Sequence, residues 1–226
     1  METGSFDMVL AIDISSTMLV QDVEPTRIDA VKDASRNIIS DIEGNSRVGI
    51  LSFGSTSRII QPLTSKKLDL KHAIDKMSIR KHSSTDLAQA ITTSTNMLIG
   101  SNNSRMILLF TDGQHNIGTS VDEALSFAID EGIIIHPVVV GTNKGGQVQG
   151  INISFTPEFE NIRSLADKTE GGFSWLNNTM DSIDFNVPDS KKRLVKVPLS
   201  DNLLYAVLVI LFLEFVLVKT IFKITP

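Results

Sequence analysis

Short apolar runs alternate with amphipathic segments along residues 6–177. Continuous runs such as ILLF (107–110) and IIIHPVVV (133–140) are typical of strands in the middle of a parallel sheet, which are buried on both faces. Between such runs, apolar residues recur at helical spacing, as Ile28, Val31 and Ile38 do, which predicts helices that cover a sheet. The hydrophobic pattern therefore predicts an α/β domain.

The predicted strands and helices follow one another in the order of a doubly wound fold. We expect strands at residues 6–13, 47–53, 57–64, 105–112, 133–141 and 172–177. We expect helices at residues 25–44, 67–77, 86–99, 120–131 and 157–169. Because a Gly-Ser-Thr turn joins the second and third strands, those two should pair antiparallel. This predicts a Rossmann-like, mostly parallel six-stranded sheet with one antiparallel edge strand and helices on both faces.

Residues 203–222 are predicted to form a transmembrane helix. Their sequence, LLYAVLVILFLEFVLVKTIF, is apolar on every side of a helix and matches the roughly 30 Å of a bilayer's hydrocarbon core. Glu214 lies deep in this span, where it should be protonated, reach towards the interface or face another helix. We therefore expect a domain at residues 1–187, a basic juxtamembrane linker at 188–202 and a single-pass anchor at 203–222.

The uneven charge of the chain bears on its orientation and its partners. The net charge is −5, and from Ser190 onward six basic and two acidic residues give +4, so the first 189 residues carry −9. Four of the basic residues precede the span, whereas Lys219 lies near its end and Lys223 just after it, so the positive-inside bias predicts that the domain is in the cytoplasm. An acidic domain disfavours nucleic acid as a partner. The chain has no cysteine, and its four histidines lack the spacing of a zinc site.

Polar side chains follow two of the predicted central strands and precede one helix. The first strand runs into D-I-S-S-T (13–17), the strand at 105–112 runs into T-D-G (111–113), and S-S-T-D (83–86) precedes a helix. In an open α/β sheet, ligands bind beyond the carboxyl ends of strands where the strand order reverses. Two carboxylates and several hydroxyls are oxygen donors that suit a hard divalent cation. Taken singly, each motif also fits ordinary structure: a capped turn at 13–17, a helix N-cap at Thr85 and a turn at Asp112.

The combination of D-x-S-x-T, a distant Thr and T-D-G resembles the von Willebrand factor A (vWA) domain and its metal-ion-dependent adhesion site. The resemblance extends over residues 6–185. The stretches VLAIDISSTMLVQDVEPTRIDAVK and LLFTDGQHNIG are especially similar to the Bat aerotolerance branch, whose members are membrane-anchored and often encoded beside MoxR-type AAA+ ATPases. Thr17 stands where the family pattern has Ser, and because it keeps the hydroxyl we expect metal binding to survive.

The resemblance implies a set of metal ligands and a way of binding a partner. The hydroxyls of Ser15, Thr17 and Thr85 would bind Mg²⁺ or Mn²⁺, and Asp13 and Asp112 would act directly or through water. An Asp or Glu of a partner protein would fill the open coordination position. The protein is then expected to be no enzyme but a membrane-anchored, metal-dependent protein interaction module. As a scaffold or adaptor it would work with a MoxR-type ATPase, another vWA protein or a membrane complex.

Two alternatives remain open at this point. One is a metal-dependent phosphoester hydrolase with His115 as a base, although Ser15 stands where haloacid-dehalogenase phosphatases need a second acid, and no nucleotide-binding P-loop is present. The other is a vWA scaffold with a vestigial metal site. The Gly-rich run at 141–150 does not open directly into a helix, so it is expected to be a flexible surface hairpin rather than a phosphate-binding loop.

Overall fold

The computed structural model describes residues 5–42, 44–79, 84–114, 120–147 and 154–177, together with Leu211. The chain divides into two units, residues 1–191 and 192–226, and the strands and helices named below belong to the first. In the described part of the chain, no helix is both long and apolar enough to cross a membrane. The predicted linker at 188–202 and the predicted span at 203–222 lie outside the described residues, Leu211 excepted.

The observed elements lie close to the predicted ones. The strands are β1 (Phe6–Asp13), β2 (Arg47–Phe53), β3 (Arg58–Thr64), β4 (Ser104–Thr111), β5 (Ile134–Val140), β6 (Gly146–Gln147), β7 (Ser154–Phe155) and β8 (Ser174–Leu176). The helices are α1 (Arg27–Asp41), α2 (Lys67–Asp75), α3 (Leu87–Leu98), α4 (Val121–Asp130) and α5 (Phe159–Lys168), with a short 3₁₀ helix at Ser16–Leu19. Long apolar runs and helical periodicity therefore located each main element correctly.

Six of these strands form one sheet in the order β3-β2-β1-β4-β5-β8. Strand β1 is parallel to both β2 and β4, β5 is parallel to β4 and β8, and β3 pairs antiparallel with β2. This confirms the predicted mostly parallel six-stranded sheet with one antiparallel edge strand. Because β2 lies on one side of β1 and β4 on the other, the strand order reverses between β1 and β4, which is where ligands bind in open α/β sheets.

Helices cover both faces of this sheet, as predicted. Met8, Leu10 and Ile12 of β1 belong to a buried cluster shared with α1 and α2. Their neighbours Val9 and Ala11 point to the opposite face and belong to a second cluster with α3, α4 and α5. Side chains alternate along a strand, so a strand buried on both faces must be apolar at nearly every position. This is why the central strands read as continuous hydrophobic runs.

Of two local features, one differs from the prediction and the other agrees with it. Helix α1 begins at Arg27 rather than at Pro25, because the Thr26 side chain caps it by accepting a hydrogen bond from the Asp29 backbone N–H at 3.2 Å. The Gly-rich run contributes to a hairpin, as predicted, since its strand β6 pairs antiparallel with β7. Strands of two residues are too short to leave a periodic pattern in the sequence.

Candidate metal centre

Asp13 ends β1 and joins it to the end of β4. Its side chain is fully buried, and its Oδ1 accepts a hydrogen bond from the Ser15 backbone N–H at 2.8 Å. Its Oδ2 accepts a second hydrogen bond from the Thr111 hydroxyl at 2.9 Å. A buried carboxylate needs such donors to offset the loss of water. The first carboxylate of the candidate site is therefore held at the reversal point of the sheet.

Ser15 and Thr17 turn their hydroxyls towards each other in the loop that follows Asp13. The Ser15 Oγ and Thr17 Oγ1 atoms lie 3.0 Å apart, and both side chains are buried. The 3₁₀ helix brings the two positions together, with the Met18 N–H donating to the Ser15 carbonyl at 3.1 Å. Thr17 also hydrogen-bonds to the carboxylate of Asp112. The structure thus brings Ser15, Thr17 and Asp112 together, as the sequence predicts.

Asp112 follows β4 and supplies the second buried carboxylate. Its Oδ1 accepts a hydrogen bond from the Gln114 N–H at 3.2 Å, and its Oδ2 accepts one from Nη1 of Arg27 at 2.9 Å. Strands β1 and β4 are direct neighbours in the sheet, so Asp13 and Asp112 lie at adjacent strand ends. This placement is the one that the sequence predicts for the two carboxylates.

Thr85 lies at the same edge of the sheet and is not a helix cap. The N-cap of α3 is Asp86, whose side chain accepts a hydrogen bond from the Gln89 N–H at 2.9 Å. The Asp86 N–H in turn donates to the carbonyl of Gly54, just past the end of β2, at 2.7 Å. Thr85 is buried at this junction. The capping alternative for Thr85 is therefore wrong, because Asp86 caps the helix.

Burial and mutual repulsion oppose ionisation of the two carboxylates. Loss of solvent and the nearby Asp112 raise the pKa of Asp13 to about 7. Burial also raises the pKa of Asp112, while hydrogen bonds from Thr17, Gln114 and Arg27 act in the opposite direction. A cation bound between the two carboxylates would favour the ionised form of both. A bound cation would therefore stabilise this pair of buried carboxylates.

Arg27 and Asp22 are not among the residues predicted from the sequence. Arg27 is fully buried, and its Nε and Nη2 donate to the two carboxylate oxygens of Asp22 at 2.7 and 2.8 Å. The sequence did contain one sign that Arg27 is buried. Arg27 precedes Val31 by four residues and so lies on the apolar side of α1. A charged residue on such a stripe requires a buried partner, but only the fold shows which one.

The donor set fits a hard divalent cation. It offers two carboxylates and three hydroxyls, which are oxygen ligands of the kind that Mg²⁺ and Mn²⁺ take in proteins. Among the described residues, no group of three or more His, Cys, Asp or Glu side chains could hold a metal ion, so the site depends on its hydroxyls. His115, the base of the hydrolase alternative, lies outside the described residues.

Residues 8–115 match the model of the von Willebrand factor type A domain. The chain contains a vWA domain. This confirms the resemblance predicted from D-x-S-x-T and T-D-G. The matched region takes in all five candidate ligands and the strands β1, β2 and β4 that carry or flank them.

Solved structures extend the similarity over most of the vWA domain. BatB from Bacteroides thetaiotaomicron is 25% identical, with a TM-score of 0.70, and the match covers 77% of this chain and 92% of that one. A protein from Bacteroides fragilis described as an aerotolerance-related membrane protein is also 25% identical, with a TM-score of 0.68 over the same shares of the two chains. Bat proteins are thus among the structural neighbours of this chain.

Curated relatives come from mycobacteria and are longer. A UPF0353 protein of Mycobacterium tuberculosis is 28% identical over 152 residues, which is 61% of this chain and 45% of that protein. A UPF0353 protein of Mycobacterium leprae is 27% identical over 188 residues, which is 76% of this chain and 56% of that protein. The chain therefore spans about half the length of the curated relatives it matches.

Proposed function

We propose that this vWA domain is a divalent-metal-dependent protein interaction module of a membrane-anchored protein. Its ligands for Mg²⁺ or Mn²⁺ are the hydroxyls of Ser15, Thr17 and Thr85 and the carboxylates of Asp13 and Asp112, acting directly or through water. One observation carries the proposal. Two buried carboxylates lie at the ends of neighbouring central strands, and one of them hydrogen-bonds to a hydroxyl of a buried Ser-Thr pair.

The charge of the chain supports a partner that contributes a carboxylate. A bound divalent ion supplies positive charge that can ligate an external carboxylate. The first 189 residues carry a net charge of −9, so elsewhere on the domain an acidic side chain is repelled. Asp13 and Asp112 hold the divalent ion in place. The three hydroxyls add neutral oxygen ligands, which do not cancel the positive charge of the ion. The ion would therefore select a partner that presents one Asp or Glu side chain at this position.

Three likenesses support the finer parts of this proposal. The neighbour from Bacteroides fragilis is described as a membrane protein, in keeping with the apolar segment at 203–222 and a cytoplasmic domain. The mussel byssus protein PTMP1, which shares the fold at a TM-score of 0.60 and 19% identity, is described with a zinc-occupied MIDAS motif. The likeness to BatB supports the resemblance of the sequence to the Bat branch, and that resemblance suggests a MoxR-type ATPase, another vWA protein or a membrane complex as the partners to test first.

The test is a metal titration of the full chain in detergent. We expect Mg²⁺ to raise the melting temperature of the wild type and EDTA to reverse the rise, whereas Asp112→Asn should lose it. Asp122→Asn is the matched control, because the Asp122 side chain is 78% exposed and pairs only at the surface with Lys168. If neither Mg²⁺ nor Mn²⁺ changes the melting temperature of the wild type, the result would favour the alternative of a vWA scaffold with a vestigial metal site. Metal-dependent hydrolysis of p-nitrophenyl phosphate would favour the hydrolase instead.

A further inference from the structure

Arg27 occupies an unusual position for an arginine. Its side chain is 0% exposed, and its guanidinium donates four hydrogen bonds, three of them to the buried side chains of Asp22 and Asp112. Two go to Asp22, one goes to Asp112 at 2.9 Å and one goes to the backbone carbonyl of Phe155 at 2.9 Å. A rigid guanidinium fork fixes the orientation of carboxylates that it binds, which a lysine cannot do in the same way.

The buried charges around Arg27 leave an imbalance that matches a divalent cation. Asp13, Asp22 and Asp112 contribute three carboxylates, and Arg27 contributes one guanidinium. With all four groups ionised, the cluster carries a net charge of −2. Buried charges are stable only when they are compensated. Arg27 alone therefore cannot neutralise the cluster, whereas Arg27 together with one divalent ion would.

The same cluster holds both ends of the segment that includes β6 and β7. Asp22 Oδ2 accepts a hydrogen bond from the Thr142 N–H at 2.8 Å, and the Glu158 N–H donates to the Asp112 carbonyl at 2.9 Å. Gly141 permits the close approach, because a Cβ there would lie 2.9 Å from Arg27 Nη2 and the residue has a φ of +130°. Residues 141–147 and 154–158 are thus hydrogen-bonded, at Thr142 and Glu158, to Asp22 and to the backbone of the candidate metal ligand Asp112.

We propose that Arg27, held by Asp22, is a positioning residue of the metal centre that also joins metal binding to the placement of residues 141–147 and 154–158. The inference rests on the proposed metal site. Arg27 orients the Asp112 carboxylate for the ion, and its bond to Phe155 ties β7 to the same guanidinium. Fixing Asp112 by metal then restrains the backbone at Thr142 and Glu158. The backbone at these two positions would then become more rigid when the ion binds.

The first test measures Mg²⁺ affinity by calorimetry on the full chain in detergent. We expect Arg27→Lys and Asp22→Asn each to weaken Mg²⁺ binding about tenfold or more, the usual effect of losing a partner that orients a metal ligand. The control is Arg36→Lys, because Arg36 lies on the same helix and pairs with Asp75 at 2.7 Å on the surface. The control should stay within about twofold of the wild type.

A double variant and hydrogen exchange separate positioning from a general loss of structure. Because Asp22 acts through Arg27, the double variant should bind Mg²⁺ no more weakly than Arg27→Lys alone, which is strongly non-additive. In the wild type, Mg²⁺ should slow exchange at the amides of Thr142 and Glu158, and in Asp22→Asn that slowing should be lost. Asp22→Asn leaves Arg27 and Asp112 in place, so it tests the positioning role even if Arg27→Lys does not fold.

The outcomes distinguish this inference from the proposed function. If the wild type binds Mg²⁺ and Asp22→Asn binds it equally well, the positioning role is wrong and the metal site stands. If Mg²⁺ leaves exchange at Thr142 and Glu158 unchanged in the wild type, the link to residues 141–147 and 154–158 is wrong. If the wild type binds neither Mg²⁺ nor Mn²⁺, the metal centre itself is wrong and the inference falls with it.

Discussion

At the scale of single residues, the candidate site is a pair of buried carboxylates whose simultaneous ionisation is unfavourable. Asp13 has both oxygens occupied by hydrogen bonds within the domain, and its pKa is still raised to about 7 by burial and by Asp112. Hydrogen bonds alone therefore do not compensate the cluster. A cation is the remaining means of stabilising both ionised carboxylates, which is why the pH dependence of stability reports on the site.

The first prediction concerns pH and the metal-free protein. Because the pKa of Asp13 is raised above its ordinary 3.8, the folded state favours the protonated form, and this contribution to stability is lost as the pH rises from about 4 through about 7. In EDTA, the stability advantage of Asp13→Asn over the wild type should therefore grow between pH 5 and pH 8, and saturating Mg²⁺ should abolish it. Thermal melts of the two proteins across this range measure the difference. A pH-independent difference would contradict the prediction.

The second prediction concerns the hydroxyl of Thr17. Thr17→Ser keeps the oxygen that lies 3.0 Å from Ser15 Oγ, whereas Thr17→Val keeps the shape and removes the oxygen. Losing a direct ligand should weaken Mg²⁺ binding at least as much as losing an orienting partner, by about tenfold, and Thr17→Ser should bind like the wild type. Calorimetry on the full chain measures both. Equal affinity in Thr17→Val would remove Thr17 from the ligand set.

At the scale of elements, the candidate ligands are placed by the ends of strands and by one helix cap. Asp13 and Asp112 are brought together because β1 and β4 are adjacent and parallel, with Ile12 opposite Phe110 in the register. Thr85 is held in place by its neighbour Asp86, which caps α3 and bonds to Gly54 past β2. The site therefore depends on how the sheet and α3 meet at one edge.

The third prediction tests the cap of α3. Asp86→Ala leaves the Gln89 N–H without its acceptor and should lower the free energy of unfolding by about 1 kcal/mol, whereas Asp86→Ser, another good N-cap residue, should recover most of it. Urea unfolding in EDTA, followed by the fluorescence of the single tryptophan, Trp175, measures both. If Asp86→Ala and Asp86→Ser are equally stable, the side chain does not act as the cap.

At the scale of the whole molecule, an acidic domain precedes a basic and apolar end. The first 189 residues carry −9, and the remainder carries +4. This division supports the proposal of a domain that binds partners through its metal and a separate segment that anchors the chain. If the proposed metal site is correct, the bound cation would offer a partner carboxylate a local positive charge on a domain whose net charge is negative, which would make binding depend on the ion.

The fourth prediction concerns the anchor. The full chain should stay with the membrane pellet after extraction at high pH in sodium carbonate, because about 20 apolar residues suffice to span the hydrocarbon core. A chain ending at residue 189 should be released under the same conditions. Release of the full chain would show that residues 203–222 do not anchor it.

The fold was predictable from the sequence to a large extent. Buried strands and amphipathic helices carry periodic signals, so all six strands of the main sheet lie within two residues of their predicted ends. The positions of Asp13 and Asp112 followed from the same logic, because both follow buried strands of an open sheet. The family resemblance carried by D-x-S-x-T and T-D-G added Thr85, which strand periodicity does not identify.

The sequence by itself determined the α/β class, the elements and the residues that can supply oxygen ligands, because these depend on local periodicity and on residue type. Only the tertiary structure decided that Arg27 is buried between Asp22 and Asp112, that Asp86 rather than Thr85 caps α3, and that β7 lies against the guanidinium. The contacts of Arg27 with Asp112 and Phe155 join residues that are 85 and 128 positions apart in the chain. Their energies depend on burial and distance, which no local pattern records.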